Sequence, residues 1–502
     1  MIRDATQEAT GEVERVVTRW SSSDDALSST VENPATGRPI AIVEGCGPEE
    51  VDRAVRAAHE AHFTWRERAP RERGKVLLRA ASLIRDHADD LARLECREMG
   101  KPVSQARNVD VEQCITIFEY YAGLVEMLPS QVRELGYAVD ITLLEPFGVV
   151  AGIVPFNWPP LHIAGKAGPA LAVGNGVVLK PSENAPLTLI RIAEMVQSVL
   201  PDDVLHVVPG GDATGKALVA HPVVGKIAFT GSSDAGRHVA HAAADRLVSS
   251  LLELGGKNPL LIFEDADLSA AVVGAVEGGF FNQGEACTAS SRVLVHHSLH
   301  DEFLERFCPA VERLRVGDGF DPGTHVGPLI TAEQRQRVLD YIEIGLDEGA
   351  RIVAQGALPT DDELRGGYFV APTVFADVTE EMRIANEEIF GPVVSVIPFD
   401  DEDHAVRMAN GTEFGLIAGV YSSDGERLMR VCRRIDASIV FANNFNRSFV
   451  GTPFGGTHAS GYGRVHSPET LYEFGWSKSI RLPSGIGEIP RWSAVDDVLG
   501  PA

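Results

Sequence analysis

The run Val149-Val150-Ala151-Gly152-Ile153-Val154 carries no charge, follows Gly148 and stops at Pro155. Comparable short runs, each bounded by Gly, Pro or Asn, recur at 176–179, 204–208, 226–229 and 259–263. Stretches with helical spacing separate them, and this alternation is typical of parallel strands joined by crossover helices. The sequence therefore predicts an α/β fold with a parallel sheet after residue 140.

The rest of the chain predicts a second α/β unit and a helical region upstream. Strand-like runs follow Cys287 at 292–295, 369–375, 393–399 and 438–441. Between Pro48 and Met99 the apolar residues recur at helical spacing, which indicates amphipathic helices. Residues 1–30 are polar and predict a loosely ordered extension, which ends at the turn signal Asn33-Pro34-Ala35-Thr36-Gly37.

Composition and charge exclude several classes of protein. The 502 residues are 44% hydrophobic and 23% charged, which is ordinary for folded globular domains. The 45 basic and 71 acidic residues give a net charge of −26, which repels nucleic acid and anionic lipid surfaces. We therefore expect neither a nucleic acid nor a membrane partner.

The termini and the cysteines indicate a cytoplasmic protein. The N-terminal residues do not combine a basic stretch with an apolar one, and no run approaches the roughly 18–20 apolar residues of a membrane span. The six cysteines are scattered without CxxC or Cys/His spacing, so we expect reduced thiols and no metal site.

Three residues are candidates for chemistry, although each has an ordinary structural explanation. Cys287 is flanked by small and polar residues, whereas a lone cysteine usually packs as a small apolar residue. Glu253 precedes Leu254-Gly255-Gly256, a pattern that favours a tight strand end where the backbone approaches another group. Asn157 lies in a Pro-rich segment and is by itself more typical of a turn.

Together these segments resemble the aldehyde dehydrogenase superfamily, in its hydrolytic branch that does not use coenzyme A. The resemblance is carried by seven ordered blocks, at 33–37, 180–183, 229–232, 253–257, 281–288, 387–392 and 453–456 with 460–464. The resemblance implies that Cys287 attacks the aldehyde, that the Asn157 amide and the Cys287 N–H hold the oxyanion, and that Glu253 activates water. Members that transfer the acyl group to coenzyme A generally lack this glutamate.

The resemblance also implies a dinucleotide site, although no GxGxxG motif is present. Ser232 would begin a helix whose free N–H groups bind pyrophosphate, and a carboxylate at Glu183 would accept ribose hydroxyls but repel a 2′-phosphate. NAD is therefore preferred over NADP, while Lys180 leaves NADP open. The implied cofactor residues are Phe156, Lys180, Ser182, Glu183, Gly211, Phe229, Thr230, Gly231, Ser232, Leu254, Glu388 and Phe390.

The aldehyde itself is left open between a bulky or aromatic one and an acid semialdehyde. The implied substrate residues are Trp158, Leu161, His162, Arg447 and Phe454. Gly165 replaces an aromatic residue of many members, which predicts a wider substrate tunnel, and Arg447 could pair with a carboxylate. The chain departs from the family at His458, where lysine is common, and at Val465, where glutamate is usual.

The resemblance implies a Rossmann-like cofactor domain, a second α/β catalytic domain and a small β arm for oligomerisation. The expected divisions are an extension at 1–30, the dinucleotide-binding domain at 31–127 and 147–254, oligomerisation strands at 128–146 and 475–490, the catalytic domain at 255–474 and a tail at 491–502. Residues 138–144 alternate apolar and polar, as a half-exposed strand does, and 478–482 is its expected partner. A homodimer or homotetramer is implied.

Three rival functions remain to be weighed. A thiol-dependent hydrolase would need a histidine base beside Cys287, and an inactive binding protein would be expected to lack Cys287 or Glu253. A coenzyme A-acylating dehydrogenase is the nearest rival and is disfavoured by Glu253.

Overall fold

The structure is a computed structural model that describes residues 13–128, 130–445 and 449–500. It has an α/β fold in which helices cover two largely parallel sheets. The α-helices are Pro48–Arg66, Pro70–Asp86, Ala88–Met99, Val103–Gln105, Glu112–Leu124, Pro159–Val173, Leu187–Gln197, Asp212–Ala220, Ser233–Asp245, Leu268–Phe280, His300–Glu312, Ala332–Asp347, Arg383–Asn386, Glu402–Ala409, Gly425–Cys432, Thr470–Glu473 and Ala494–Leu499. Within the described ranges, none of the helices is both long enough and apolar enough to cross a membrane.

The first sheet has six strands. In spatial order they are Gly461–Tyr462, Ser249–Glu253, Val224–Thr230, Val149–Ile153, Gly176–Lys180 and Leu205–Val207. The last five are parallel, and the short strand Gly461–Tyr462 joins them antiparallel from the far end of the chain. Four of the predicted runs are confirmed as strands here. After Val149–Ile153 the chain adds Gly176–Lys180 and Leu205–Val207 on one side of this strand, and then Val224–Thr230 and Ser249–Glu253 on the other side. The strand order therefore reverses at the carboxyl end of Val149–Ile153, as in Rossmann-like folds.

The second sheet has seven strands. In spatial order they are Arg351–Gln355, Thr373–Ala376, Val393–Phe399, Arg292–His296, Pro259–Ile262, Ile417–Tyr421 and Ile439–Ala442. The assignment of run 259–263 to the first sheet was wrong, because Pro259–Ile262 pairs with Arg292–His296 and Ile417–Tyr421. The predicted strand 369–375 begins only at Thr373, since Pro372 offers no N–H to a ladder.

An antiparallel arm and an N-terminal sheet complete the fold. In the arm, Ala138–Pro146 lies between Gln131–Glu134 and Gly475–Pro483, and the pair Ile480 and Ile141 confirms the expected partner strand. The expectation of a loosely ordered extension was wrong for Glu14–Val16, which forms a strand parallel to Arg38–Val43. This pairing places the side chain of Val16 in the hydrophobic core. Residues 1–12 lie outside the described residues.

The helical region and the turn agree with the sequence. Between Pro48 and Met99 three amphipathic helices bury one face each, with Trp65 fully buried. The turn at 33–37 is closed by the Gly37 N–H donating to the Asn33 carbonyl at 2.8 Å. Gly37 has a φ of +67°, a left-handed conformation that favours glycine.

Candidate active site

A cleft opens where the strand order of the first sheet reverses, the usual place for a ligand in open α/β sheets. Its volume is about 610 Å³, and the facing second-sheet unit forms the other wall. The residues predicted from the sequence that line it are Phe156, Asn157, Thr230, Gly231, Ser232, Leu254, Cys287, Glu388 and Phe390. The structure therefore brings segments from five parts of the chain to one opening.

A tight left-handed turn presents Cys287 at this opening. Asn282, Gln283 and Gly284 have φ values of +53°, +46° and +72°, and the first two are strained conformations for residues with side chains. Downstream, the Asn258 amide nitrogen donates to the Cys287 carbonyl at 2.8 Å. A Cβ on Gly256 would lie 2.5 Å from that carbonyl oxygen, so only glycine allows this approach. The expectation that the Gly-Gly pair permits close backbone contact is confirmed.

The thiol of Cys287 is half-buried and has two carboxylates as electrostatic neighbours. Burial, followed by the charges of Glu388 and Glu253, raises the pKa of the thiol well above its usual value. The N–H groups of Cys287 and Thr288 act in the opposite direction, since they favour a negative charge on the sulfur. The free thiol is thus kept protonated, although the backbone N–H groups of Cys287 and Thr288 would stabilise a thiolate at the same position.

Asn157 follows the strand Val149–Ile153 and precedes the helix Pro159–Val173. Its side chain is 3% exposed, and its amide nitrogen donates to the Glu285 carbonyl at 3.1 Å. That acceptor fixes which end of the amide is the donor, because the amide oxygen would repel the Glu285 carbonyl. One N–H of the amide remains to be donated elsewhere in the site.

Glu253 ends the strand Ser249–Glu253 and is buried. Its carboxylate accepts a hydrogen bond from the Thr230 hydroxyl at 2.8 Å and pairs with the Lys166 ammonium at 3.2 Å. Burial raises the pKa of this carboxyl, but Lys166, then His162 and His466, and the Thr230 hydroxyl together bring it below its usual value. The carboxylate is thus ionised although it is removed from water.

Sequence reasoning missed Lys166. It is 1% exposed and lies on the helix Pro159–Val173, where it is the only Lys, Arg, Asp or Glu. Its ammonium also donates to the Thr230 hydroxyl at 2.6 Å. A single lysine in an otherwise apolar helix was the available signal, because a buried cation requires an anionic partner.

The wider tunnel at Gly165 stays a prediction, and the structure shows which side chain lies beside this glycine. A Cβ on Gly165 would lie 3.4 Å from Nε2 of His466, so the imidazole of His466 is the nearest side chain to this position. His466 is buried and packs on Phe454 at 5.7 Å between ring centroids. His162 is also buried, and burial followed by the Lys166 charge lowers its pKa to about 3. Burial also lowers the pKa of His466, to about 4, so both imidazoles are neutral at pH 7.

Glu388 approaches the cleft from the second-sheet side. Its carboxylate accepts a hydrogen bond from the Gly256 N–H at 2.9 Å, and a Cβ on Gly255 would lie 2.4 Å from the other oxygen. Burial raises the pKa of Glu388 to about 7, against the Gly256 N–H and the Lys257 charge. Nearby, Phe390 has a φ of +61° and packs edge-on against Phe156 at 5.9 Å.

The remaining predicted cofactor residues do not line this cleft. Lys180 ends the neighbouring strand Gly176–Lys180, and its ammonium lies 3.3 Å from the carboxylate of the exposed Glu183. The Ser182 hydroxyl accepts from the Asn184 N–H at 3.3 Å, and Gly211 is the N-cap of helix Asp212–Ala220. Phe229 is buried and its ring packs under Gly231.

Some residues that line the cleft were not predicted from the sequence, and some predicted substrate residues lie outside the cleft. Arg337, Gln334 and Arg237 line the cleft without any motif to mark them, and the Arg337 guanidinium donates to the Glu388 carbonyl at 2.7 Å. Leu161 packs against the core, and the Trp158 ring lies 5.5 Å from the Lys101 ammonium. Arg447 lies outside the described residues. Within the described chain, no group of three His, Cys, Asp or Glu side chains is placed to hold a metal ion.

Comparisons with known proteins show which family the chain resembles in sequence and fold. The chain matches the model of the aldehyde dehydrogenase family over residues 20–480. Aldehyde dehydrogenase citD of Monascus ruber is 48% identical over 481 residues, 96% of each chain. The structure of PnpE, a Pseudomonas sp. WBC-3 protein, in complex with nicotinamide adenine dinucleotide is 38% identical, with a TM-score of 0.90 over 95% of this chain and 97% of that chain. The NAD+ complex of aldehyde dehydrogenase from Bacillus cereus is 37% identical, with a TM-score of 0.88 over 91% and 93%.

The chain therefore belongs to the aldehyde dehydrogenase family, whose members are oxidoreductases. The resemblance and the fold class inferred from the sequence are confirmed. The two residues that depart from the family pattern, His458 and Val465, each contact a nearby residue in this chain. The His458 imidazole lies 2.8 Å from the Asp436 carboxylate, and Val465 is buried, with its backbone paired to that of Phe454.

Proposed function

We propose that this chain oxidises an aldehyde to a carboxylic acid, with NAD as the oxidant, through a thioester on Cys287. The observation that carries the proposal is the convergence of a thiol, an oriented amide and a buried ionised carboxylate where the strand order reverses. The rival hydrolase is disfavoured because the groups that raise the pKa of Cys287 are carboxylates rather than a histidine.

Cys287 and Asn157 would perform the first step. The Cys287 thiol loses its proton to water in the cleft, the sulfur forms a bond to the aldehyde carbon, and the carbonyl π electrons move to oxygen, which gives a thiohemiacetal. The remaining N–H of the Asn157 amide and the Cys287 backbone N–H stabilise the negative oxygen. One donor of this kind is typically worth about 3 kcal/mol of activation barrier.

Glu253 would perform the hydrolysis. Its ionised carboxylate removes a proton from water, the hydroxide attacks the thioester carbon, and the C–S bond breaks to release the acid and the Cys287 thiolate. General-base assistance commonly contributes about 10²–10⁴-fold. Lys166 and Thr230 hold the carboxylate in place and keep it ionised.

The described residues fit a dinucleotide. Ser232 caps the helix Ser233–Asp245, accepting from the Ala235 N–H at 3.3 Å, so the first N–H groups of this helix face the cleft beside Gly231. These groups would hold pyrophosphate, Glu388 would hold a ribose, and Phe156 with Phe390 would line the nicotinamide site. When bound, NAD accepts the hydride that leaves the thiohemiacetal carbon. The proposed residues of the adenosine end are Lys180, Ser182, Glu183, Gly211 and Phe229.

We infer a preference for NAD over NADP from the Lys180 and Glu183 pair. The ammonium is engaged at 3.3 Å by the carboxylate, which would also repel a 2′-phosphate. Glu183→Ser should free Lys180 and lower the KM for NADP, while KM for NAD rises because ribose hydroxyls lose an acceptor. An unchanged ratio of the two KM values would overturn this preference.

The substrate remains one of two classes, a bulky or aromatic aldehyde or an acid semialdehyde. His162 and Phe454, with Trp158 and Leu161, are the proposed substrate residues, and the neutral imidazoles near Glu253 favour the uncharged class. Arg447 is retained only as the group that would favour a carboxylate.

We also propose that the arm joins copies of the chain, with domain divisions as expected from the sequence. The strand Gln131–Glu134 is a free sheet edge, and the arm exposes Val132, Tyr137, Trp476 and Leu482. Exposed apolar residues on an edge strand are a usual means of self-association. Sedimentation of the intact chain and of a Val132→Glu, Leu482→Glu variant tests the proposal, and an unchanged molar mass in the variant would overturn it.

The decisive experiment is NAD reduction across aliphatic, aromatic and carboxylate-bearing aldehydes, with and without coenzyme A. We expect turnover that does not depend on coenzyme A and that is lost in Cys287→Ala, while that variant still binds NAD by calorimetry. Cys432→Ala, which removes a half-buried thiol that does not line the cleft, is the matched control. Steady-state activity in Cys287→Ala would exclude the covalent mechanism.

A further inference from the structure

A buried cation outside the proposed reaction chemistry lies against the candidate oxyanion residue. Lys101 follows the helix Ala88–Met99 and is 0% exposed. Its ammonium pairs with Glu95 at 3.0 Å and with Asp110, and donates to the backbone carbonyl of Asn157 at 2.7 Å. The ammonium thus donates hydrogen bonds to Asp110 and to the Asn157 carbonyl, while Glu95 contributes its charge without a hydrogen bond.

The burial of the Lys101 ammonium costs stability, and this cost points to a functional role. Burying a charge in the core carries a large desolvation penalty, and replacing a buried ion pair with apolar groups often leaves stability unchanged or improved. Burial lowers the pKa of Lys101, but Asp110 and Glu95 more than restore it, so the ammonium stays charged. A fixed cation under the Asn157 carbonyl is therefore a permanent feature of the site.

The contact restrains the part of Asn157 that sets the direction of its side chain. The Asn157 carbonyl belongs to the peptide plane next to the Asn157 Cα, and it also receives the Asn282 amide at 3.4 Å. The Asn282 and Asn157 amides both donate to the Glu285 carbonyl, at 3.0 and 3.1 Å, two residues before Cys287. Lys101 thus anchors a network that joins the oxyanion amide to the cysteine turn.

We propose that Lys101 is a positioning residue for the oxyanion amide, acting on the reaction through the backbone of Asn157. The inference rests on the proposed function, in which that amide stabilises the thiohemiacetal oxygen. It adds a residue from the helical region of the chain, held by the Glu95 and Asp110 carboxylates, to the groups that determine the rate.

A double-mutant cycle tests this inference. Lys101→Met should lower kcat by about 10²-fold, the loss typical of displacing a positioned group by about 1 Å, with a smaller change in the aldehyde KM. In the Asn157→Ala background the same substitution should cause no further loss, because the group it positions is gone. Alkylation of Cys287 by iodoacetamide should keep its wild-type rate, since Lys101 does not act through the thiol.

The controls separate position from stability. Lys226→Met removes another 0% exposed lysine, paired with Glu473 at 3.1 Å, and should lower the unfolding midpoint without lowering kcat. If Lys101→Met does not fold, Asp110→Asn loosens the same ammonium and should show the same dependence on Asn157. Losses that multiply in the double variant would overturn the inference. An unchanged kcat in Asn157→Ala would instead overturn the proposed role of the amide itself.

Discussion

Lys166 and Glu253 form a buried ion pair, with 3.2 Å between the ammonium nitrogen and a carboxylate oxygen. The side chains are 1% and 10% exposed, and the Thr230 hydroxyl bridges them. Burial alone would raise the pKa of Glu253, and the Lys166 charge is the largest effect that lowers it. The pair therefore determines the pH at which Glu253 is an ionised base.

Lys166→Met should move the acid limb of the kcat profile to higher pH. Without the cation, burial dominates and the pKa of Glu253 rises above its usual value, so the base becomes protonated and activity falls as pH drops through the raised pKa. The pH dependence of steady-state NAD reduction measures the shift. Lys226→Met removes a buried lysine whose ammonium pairs with Glu473 rather than with Glu253, so it should keep the wild-type profile. An acid limb at the wild-type position in Lys166→Met would show that the pair has no part in setting this pKa.

Glu253→Gln should separate the two halves of the reaction. Gln has nearly the same shape and still accepts from Thr230, but it cannot remove a proton from water. We expect a burst of NADH close to one per active site, followed by a steady state about 10²–10⁴-fold slower than wild type. Stopped-flow absorbance at substoichiometric and excess aldehyde measures both phases. Equal slowing of burst and steady state would assign Glu253 to the hydride step or to folding.

NAD affinity should weaken as pH falls through about 7. Burial raises the pKa of Glu388 to about 7, and its ionised form accepts ribose hydroxyls more strongly than the neutral form. The KM for NAD should therefore be low above pH 7 and rise below it. Glu388→Gln should give a higher KM that no longer depends on pH in this range, and a pH-dependent KM in that variant would assign the titration to another group.

The fold could be predicted from local sequence because strands buried on both faces are continuous apolar runs, such as 149–154 and 393–399. The strand Ser249–Glu253 is not a continuous apolar run, because it begins with two serines, so it was not predicted as a strand. Only its end at Glu253 was predicted, from the Gly-Gly pair that follows. Run 259–263 was placed in the wrong sheet because an apolar run does not encode its neighbours.

The candidate site was predictable where a motif is contiguous, as around Cys287 and Glu388. It was not predictable where the relation is purely spatial. Lys166 pairs with Glu253 across 87 residues of sequence, and Lys101 reaches Asn157 across 56. Such pairs depend on which helix packs under which strand, and a single amino-acid sequence carries no record of that packing.

The contact between Gly165 and His466 is the clearest example of a spatial relation that the sequence does not show, and measurements of stability can test it. A Cβ at Gly165 would lie 3.4 Å from the His466 ring, so Gly165→Trp must expel a buried imidazole that packs on Phe454. Overpacking of this kind typically costs about 1–3 kcal/mol in the free energy of unfolding, which urea denaturation measures. Gly165→Trp combined with His466→Ala should regain most of that loss, because the indole then occupies the space the imidazole leaves. If the double variant is as unstable as the single one, the indole is directed elsewhere and His466 does not fill the place of the missing aromatic residue.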